Sequence, residues 1–202
     1  TTAYAFLLSG AVTDLTLYDV NTDKAEGLLL DLEHALSFTS HTTITAAKTL
    51  EECNGSNIVI ITAGKRQAKG ETRLDLTNAN KKIFADIVPK IAKAAPNAII
   101  INVTNPLDVL THEVIKLSGF PPERVFGTGT LLDTARFQFH ISERIGVHPS
   151  SIDAYILGEH GDSSFPVFSS ANVAGKLLQD FDGFSDKIAK ECYKDTKNAA
   201  YK

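Results

Sequence analysis

The chain has 202 residues, 43% hydrophobic and 22% charged, enough length and apolar content for one large or two small domains around a sizeable core. Its net charge of −4 is scattered along the sequence and offers no basic stripe for nucleic acid or an anionic membrane surface. Apolar runs such as 58–61 and 98–101 are far too short to cross a bilayer. Two distant cysteines, Cys53 and Cys192, in no CxxC or Cys/His pattern, suggest reduced thiols in a cytoplasmic protein.

Residues 1–10 form a helix-like apolar stretch closed by Gly10, with no capping residue before it. Methionine is absent throughout, and the helix-like stretch 186–202 simply stops. Both ends are therefore expected to be cut, leaving a middle section of a longer protein. Between them the patterning predicts a strand over 15–20, an amphipathic helix over 24–36, a short strand over 43–45 and a fully buried strand over 58–64. A polar loop over 65–72 leads to a long helix over 74–95, a strand over 98–103, a helix over 107–118 and a strand over 125–127. A helix over 131–146, a strand over 152–157 and a segment of mixed character over 165–178 complete the series. Strands separated by helices imply βαβ crossovers and a parallel sheet of the α/β class. A change of character after Gly127 predicts two domains, 1–127 and 128–202. Ligands of open α/β sheets bind outside the carboxyl ends of the strands, where Asp19, Gly64, Asn105 and Thr128 fall.

Several of these positions carry chemistry. His160, between Gly158 and Gly161 at the end of an apolar run, is a candidate acid/base, since imidazole both takes and gives a proton near neutral pH. A histidine satisfied in a turn is the structural alternative. Asp133 and Arg136, three residues apart, share one helix face, either as a surface ion pair or as a partner for His160 and an anchor for a carboxylate. Asp19, at a strand end, could accept bonds from ribose hydroxyls or cap the next helix. Arg73, after the basic segment 65–72, could swing in to polarise a carbonyl, or the segment could be a solvated loop. Pro106 suits a first helical turn and leaves the Asn105 amide able to meet a ligand. Glu159, His160 and Asp162 are crowded, but strand or turn geometry splays them and no HExxH or cysteine pattern accompanies them, so no metal is expected.

The stretches 62–64, 67–73, 103–106, 127–136 and 158–162 occur together in an order and spacing that resemble the L-lactate/malate dehydrogenase family, and specifically its L-lactate branch. The resemblance implies a Rossmann-type doubly wound NAD-binding domain, here lacking its first strand and glycine fingerprint, followed by a partial α+β catalytic domain. It implies that His160 takes the hydroxyl proton of lactate while hydride leaves C2 for the nicotinamide. Asp133 would hold the imidazole tautomer, Arg136 clamp the substrate carboxylate, Arg73 polarise the ketone, and Asn105 bridge substrate and nicotinamide. Asp19, Lys24, Gly64, Val103, Asn105 and Thr128 fall where the family contacts NAD. Gln67, where the malate branch has arginine, would leave a second substrate carboxylate unpaired and so favours pyruvate over oxaloacetate. Gln138 and Asp153 stand where fructose 1,6-bisphosphate-activated bacterial members have Arg and His, so activation by that effector is not expected. The resemblance also implies a cytoplasmic homotetramer acting on a small 2-hydroxy or 2-oxo acid. A hydroxyisocaproate or malate dehydrogenase, or a catalytically idle NAD-binding relative, are the alternatives.

Overall fold

The computed structural model describes residues 1–66, 70 and 72–199, with Arg73 described by its backbone alone. Two compact units divide the chain, Thr1–Val125 and Phe126–Lys202.

In the first unit, helix α1 (Thr2–Ser9) ends at Gly10 and is followed by strand β1 (Asp14–Tyr18), helix α2 (Thr22–Ala35) and strand β2 (Thr43–Ala47). Strand β3 (Ile58–Ile61), helix α3 (Arg73–Ala94), strand β4 (Ile99–Asn102), helix α4 (Leu107–Ser118) and strand β5 (Val125–Gly127) follow, β5 running across the unit boundary. β1 pairs with β2 and β3 with β4, both in parallel. The expected parallel α/β class is the one the backbone adopts. Its strands lie in two ladders, β1-β2 and β3-β4-β5.

Local chemistry sets these elements. Asn21 caps α2 by accepting from Lys24 N at 3.0 Å. Thr72 and Asp75 form a reciprocal capping box at the start of α3. The apolar stripe of α3, Phe84, Ile87, Val88 and Ile91, follows helical spacing and packs into a core with Ile61, Ile100, Leu110 and Val114. Pro89 lies on the opposite, exposed face of α3, where the Ala85 carbonyl that loses its helical partner can turn to water.

Three expected strand ends are shortened, each for a visible reason. β1 stops at Tyr18 because the Asp19 carboxylate accepts from Asn21 N at 3.0 Å and turns the chain into α2. β3 stops at Ile61 rather than Gly64: the Thr104 hydroxyl takes up the Ala63 carbonyl at 2.9 Å, in place of a neighbouring strand. β4 stops at Asn102, whose buried amide accepts from Thr104 N and donates to the carbonyls of Thr104 and Leu107. Pro106 is the N-cap of α4, one position earlier than the expected first helical turn.

The second unit contains helix α5 (Leu131–Ile145), strands β6 (Ile152–Leu157), β7 (Phe165–Val173) and β8 (Lys176–Leu177), and helix α6 (Asp186–Ala199). The mixed segment 165–178 resolves into an antiparallel hairpin, giving a sheet of order β6-β7-β8. Ala174 and Gly175, both at positive φ, make the turn, and Gly175 N donates to Asn172 Oδ1 at 3.0 Å. Ile152, Ala154 and Ile156 alternate inward along β6 and pack with Phe137 and Ile141 of α5 and Cys192 of α6. Among the described residues no helix is long and apolar enough to cross a membrane.

Candidate active site

In the second unit, α5 is hydrogen-bonded directly to the backbone of β6. Thr134 Oγ1 accepts from Ile156 N at 3.0 Å, Thr130 Oγ1 donates to the Ile156 carbonyl at 2.5 Å, and one turn on, Gln138 Nε2 donates to the Ala154 carbonyl at 3.3 Å. This ladder fixes the first turn of α5 beside the end of β6, where Gly158 takes φ +95°, a conformation that strains any side chain. Two residues later comes His160.

The two structural facts combine at Asp133. Its Oδ2 lies 2.6 Å from His160 Nδ1, and its Oδ1 lies 3.3 Å from Arg136 Nη1. All three side chains are largely withdrawn from solvent, Asp133 most of all at 14% exposed. A carboxylate only accepts, so Nδ1 carries the proton and the neutral ring has its lone pair on Nε2. Asp133 and Arg136 are thus ion-paired, and the same aspartate also meets the histidine.

In the first unit, Asp19, Lys24 and Gly64 line one cavity of about 600 Å³, floored by Ile58–Ile61 and by Ile83, Ile87 and Ile91 of α3. Lys24 Nζ lies 2.5 Å from Asp19 Oδ2. That lysine bond, followed by the Asn21 amide, holds the Asp19 carboxyl below its ordinary range against the opposing effect of burial. An acidic acceptor at a strand end suits the hydroxyls of an adenosine ribose, so Asp19 fits the cofactor the sequence suggests.

Gly64 has a packing reason as well. A Cβ there would lie 2.4 Å from Thr104 Cγ2 and 3.4 Å from the Asn80 amide. Asn80 is fully buried in α3, accepting from Lys65 N at 2.7 Å and donating to the Asn105 carbonyl at 2.8 Å. One side chain thus ties the segment after β3 to the segment after β4, where Val103 N donates to the Ile61 carbonyl and the Asn105–Pro106 peptide is cis. Sequence reasoning did not single out Asn80. The available signal was a lone amide on the apolar stripe of α3, four residues before Phe84. Thr128, in the second unit, follows β5, and its carbonyl accepts from Leu131 N at 3.2 Å. Gln67 and the Arg73 side chain lie outside the described residues; the Arg73 backbone opens α3.

Residues 1–127 match the family profile described as lactate/malate dehydrogenase, NAD binding domain, and residues 130–202 the profile described as lactate/malate dehydrogenase, alpha/beta C-terminal domain. The chain belongs to the lactate/malate dehydrogenase family. Within it, the chain is 46% identical over 206 residues to a probable L-lactate dehydrogenase of Schizosaccharomyces pombe, a match covering 100% of this chain and 62% of that protein. It is 46% identical over 204 residues to an L-lactate dehydrogenase of Gloeobacter violaceus, covering 98% of this chain and 62% of the relative. Among solved structures, the minor L-lactate dehydrogenase of Enterococcus mundtii in ligand-bound form superposes with a TM-score of 0.93 at 39% identity, over 98% of this chain and 65% of that one. The chain therefore spans a little under two thirds of the length of these lactate/malate dehydrogenase relatives.

Proposed function

We propose that the protein to which this chain belongs is an NAD-dependent L-lactate dehydrogenase, with a cofactor domain over 1–127 and part of a catalytic domain over 128–202. The observation that carries the reading is the 2.6 Å contact between His160 Nδ1 and Asp133 Oδ2, with Arg136 bound to the same carboxylate. In lactate oxidation His160 takes the substrate hydroxyl proton on Nε2, and Asp133 stabilises the imidazolium that results. Arg136 binds the substrate carboxylate through a charge-assisted, two-pronged contact. Arg73 polarises the carbonyl in the reverse direction, and Asn105 and Gln67 contact the substrate. Asp19, Lys24, Gly64, Val103, Asn105 and Thr128 hold NAD. The chemistry supplied by a bound nicotinamide is acceptance of the C2 hydride.

The neutral Gln67 supports pyruvate over oxaloacetate. Gln138, already committed to the Ala154 carbonyl, and the acidic, exposed Asp153 offer no cationic pair to a sugar bisphosphate, so fructose 1,6-bisphosphate does not activate the enzyme. A homotetramer in the cytoplasm completes the proposal, by family analogy.

The test is NADH oxidation by the full-length protein with pyruvate, oxaloacetate and 2-oxoisocaproate. Turnover of pyruvate above the others is expected. Turnover of none removes the enzyme reading, and preference for oxaloacetate removes the role given to Gln67. Strong stimulation by fructose 1,6-bisphosphate would overturn the regulatory statement.

A further inference from the structure

The loop that presents His160 is held from a direction the reaction scheme does not use. Its own bonds are short-range: Gly161 N donates to the Glu159 carbonyl at 2.8 Å, Ser164 N to the Gly161 carbonyl at 3.3 Å, and Ser163 Oγ to Glu159 Oε2 at 2.6 Å. These fold the loop on itself without tying it to the body of the unit. Besides the His160–Asp133 contact, two ties to the body of the unit come from α6. The Tyr193 hydroxyl donates to the Ser164 carbonyl, and Lys197 Nζ donates to the Asp162 carbonyl at 2.9 Å. The two side chains are four residues apart on one helix face, and the Lys197 ammonium lies 5.6 Å from the centre of the Tyr193 ring, so each steadies the other.

The other side of α6 grips the helix that carries Asp133. Cys192 Sγ donates to the His140 carbonyl of α5 at 3.6 Å, and Asp195 Oδ2 lies 3.3 Å from Arg144 Nη2 at the end of α5. A single helix therefore holds both the loop bearing the histidine and the helix bearing its aspartate. The His160–Asp133 contact joins elements 27 residues apart, and its length depends on how these two supports are held in register.

We propose that Tyr193 and Lys197 are positioning residues for His160, setting the imidazole against Asp133 by fixing the carbonyls of Ser164 and Asp162. Neither touches the reacting groups. The effect on turnover rests on the dehydrogenase reading above, while the effect on the His160–Asp133 bond does not.

The test uses the full-length protein and the variants Y193F, K197M, the double variant, the conservative K197R, and K194A at an exposed position of the same helix. Y193F removes one oxygen and K197M keeps the aliphatic stem, so the helix retains its packing, which far-UV circular dichroism checks. Proton NMR reads the imidazole N–H bonded to Asp133 without any turnover. In Y193F and K197M that downfield signal is expected to broaden or vanish through exchange, and in K197R and K194A to persist. In the pyruvate assay kcat is expected to fall about 10-fold in each single variant, with K197R recovering most of it and KM for NADH unchanged, since small displacements of a reacting group cost factors of this size. An unchanged N–H signal and kcat in the double variant would overturn the proposal, even if its melting temperature fell, because the two residues would then be merely structural. Absence of turnover in the parent would remove the dehydrogenase reading, leaving the NMR comparison to decide this one.

Discussion

His160 Nδ1 and Asp133 Oδ2 lie 2.6 Å apart, a contact between the end of one strand and the first turn of one helix. Its chemical content is a choice of tautomer. In the variant D133N, an amide nitrogen can point at the ring and favour the form with its proton on Nε2, the nitrogen that under the proposed activity accepts from the substrate. Under that activity, kcat of the full-length protein for lactate oxidation is expected to fall by a factor on the order of 10² to 10⁴, the usual reach of a positioned acid/base and its partner. KM for NAD should stay near the parent value. Steady-state kinetics decides, and a D133N enzyme with parental kcat would remove Asp133 from the mechanism.

Gly64 and Thr104 make a second pair open to test. Because a Cβ at 64 would sit 2.4 Å from Thr104 Cγ2, the variant G64A should destabilise the fold by about 1–3 kcal/mol, the usual cost of overpacking. T104S deletes that methyl and keeps the hydroxyl that bonds the Ala63 carbonyl. G64A/T104S should therefore be more stable than G64A alone, a coupling that urea denaturation of the four proteins measures directly.

Asn80 binds the backbone of two residues that lie far apart in sequence, the N–H and carbonyl of Lys65 and the carbonyl of Asn105. In N80A the partners at Lys65 and Asn105 lose a buried amide, which should cost about 1–3 kcal/mol of stability. N80D should be destabilised as well, because an aspartate can no longer donate to the Asn105 carbonyl. Thermal or chemical unfolding checks both, and a neutral N80D would show that the bond to Asn105 contributes nothing.

Asp19 titrates below the ordinary 3.8, chiefly through Lys24 and secondly through the Asn21 amide. A folded value depressed below the unfolded one means that the stabilisation is fully present above about pH 3.8 and is lost as pH falls through the folded value. Carbon NMR of the Asp19 carboxyl should show a midpoint under 3.8, moving upward in K24A. A midpoint that ignores K24A would assign the shift to the Asn21 amide instead.

What the sequence disclosed follows from where its signals are local. The bounds of α4 and β6 were readable to the residue because a regular apolar period ends at a glycine in each case, Gly119 and Gly158. Strand ends at Ile61 and Asn102 were not, because side chains of Thr104 and Asn102 intercept the backbone there, and such bonds leave no mark on hydrophobic spacing. The β7-β8 hairpin was harder to read because its two-residue turn, Ala174-Gly175, puts alanine at a positive φ where Asn, Asp or Gly is the usual signal, leaving Gly175 as the one cue. At the candidate site, the residue types with obvious chemistry, His160, Asp133 and Arg136, stood out. The groups that hold things in place, Asn80, Tyr193 and Lys197, did not, since their partners are backbone carbonyls and amides, which every position in a sequence possesses.

Asp133 divides its two oxygens between a cation and an imidazole. Under the proposed activity those two groups receive the carboxylate and the hydroxyl of one small molecule, so a single side chain of the protein fixes the span between them. The aspartate then works as a gauge: it admits acids whose hydroxyl sits on the carbon next to the carboxylate and disfavours those in which another carbon intervenes, before any pocket wall has measured the rest of the substrate.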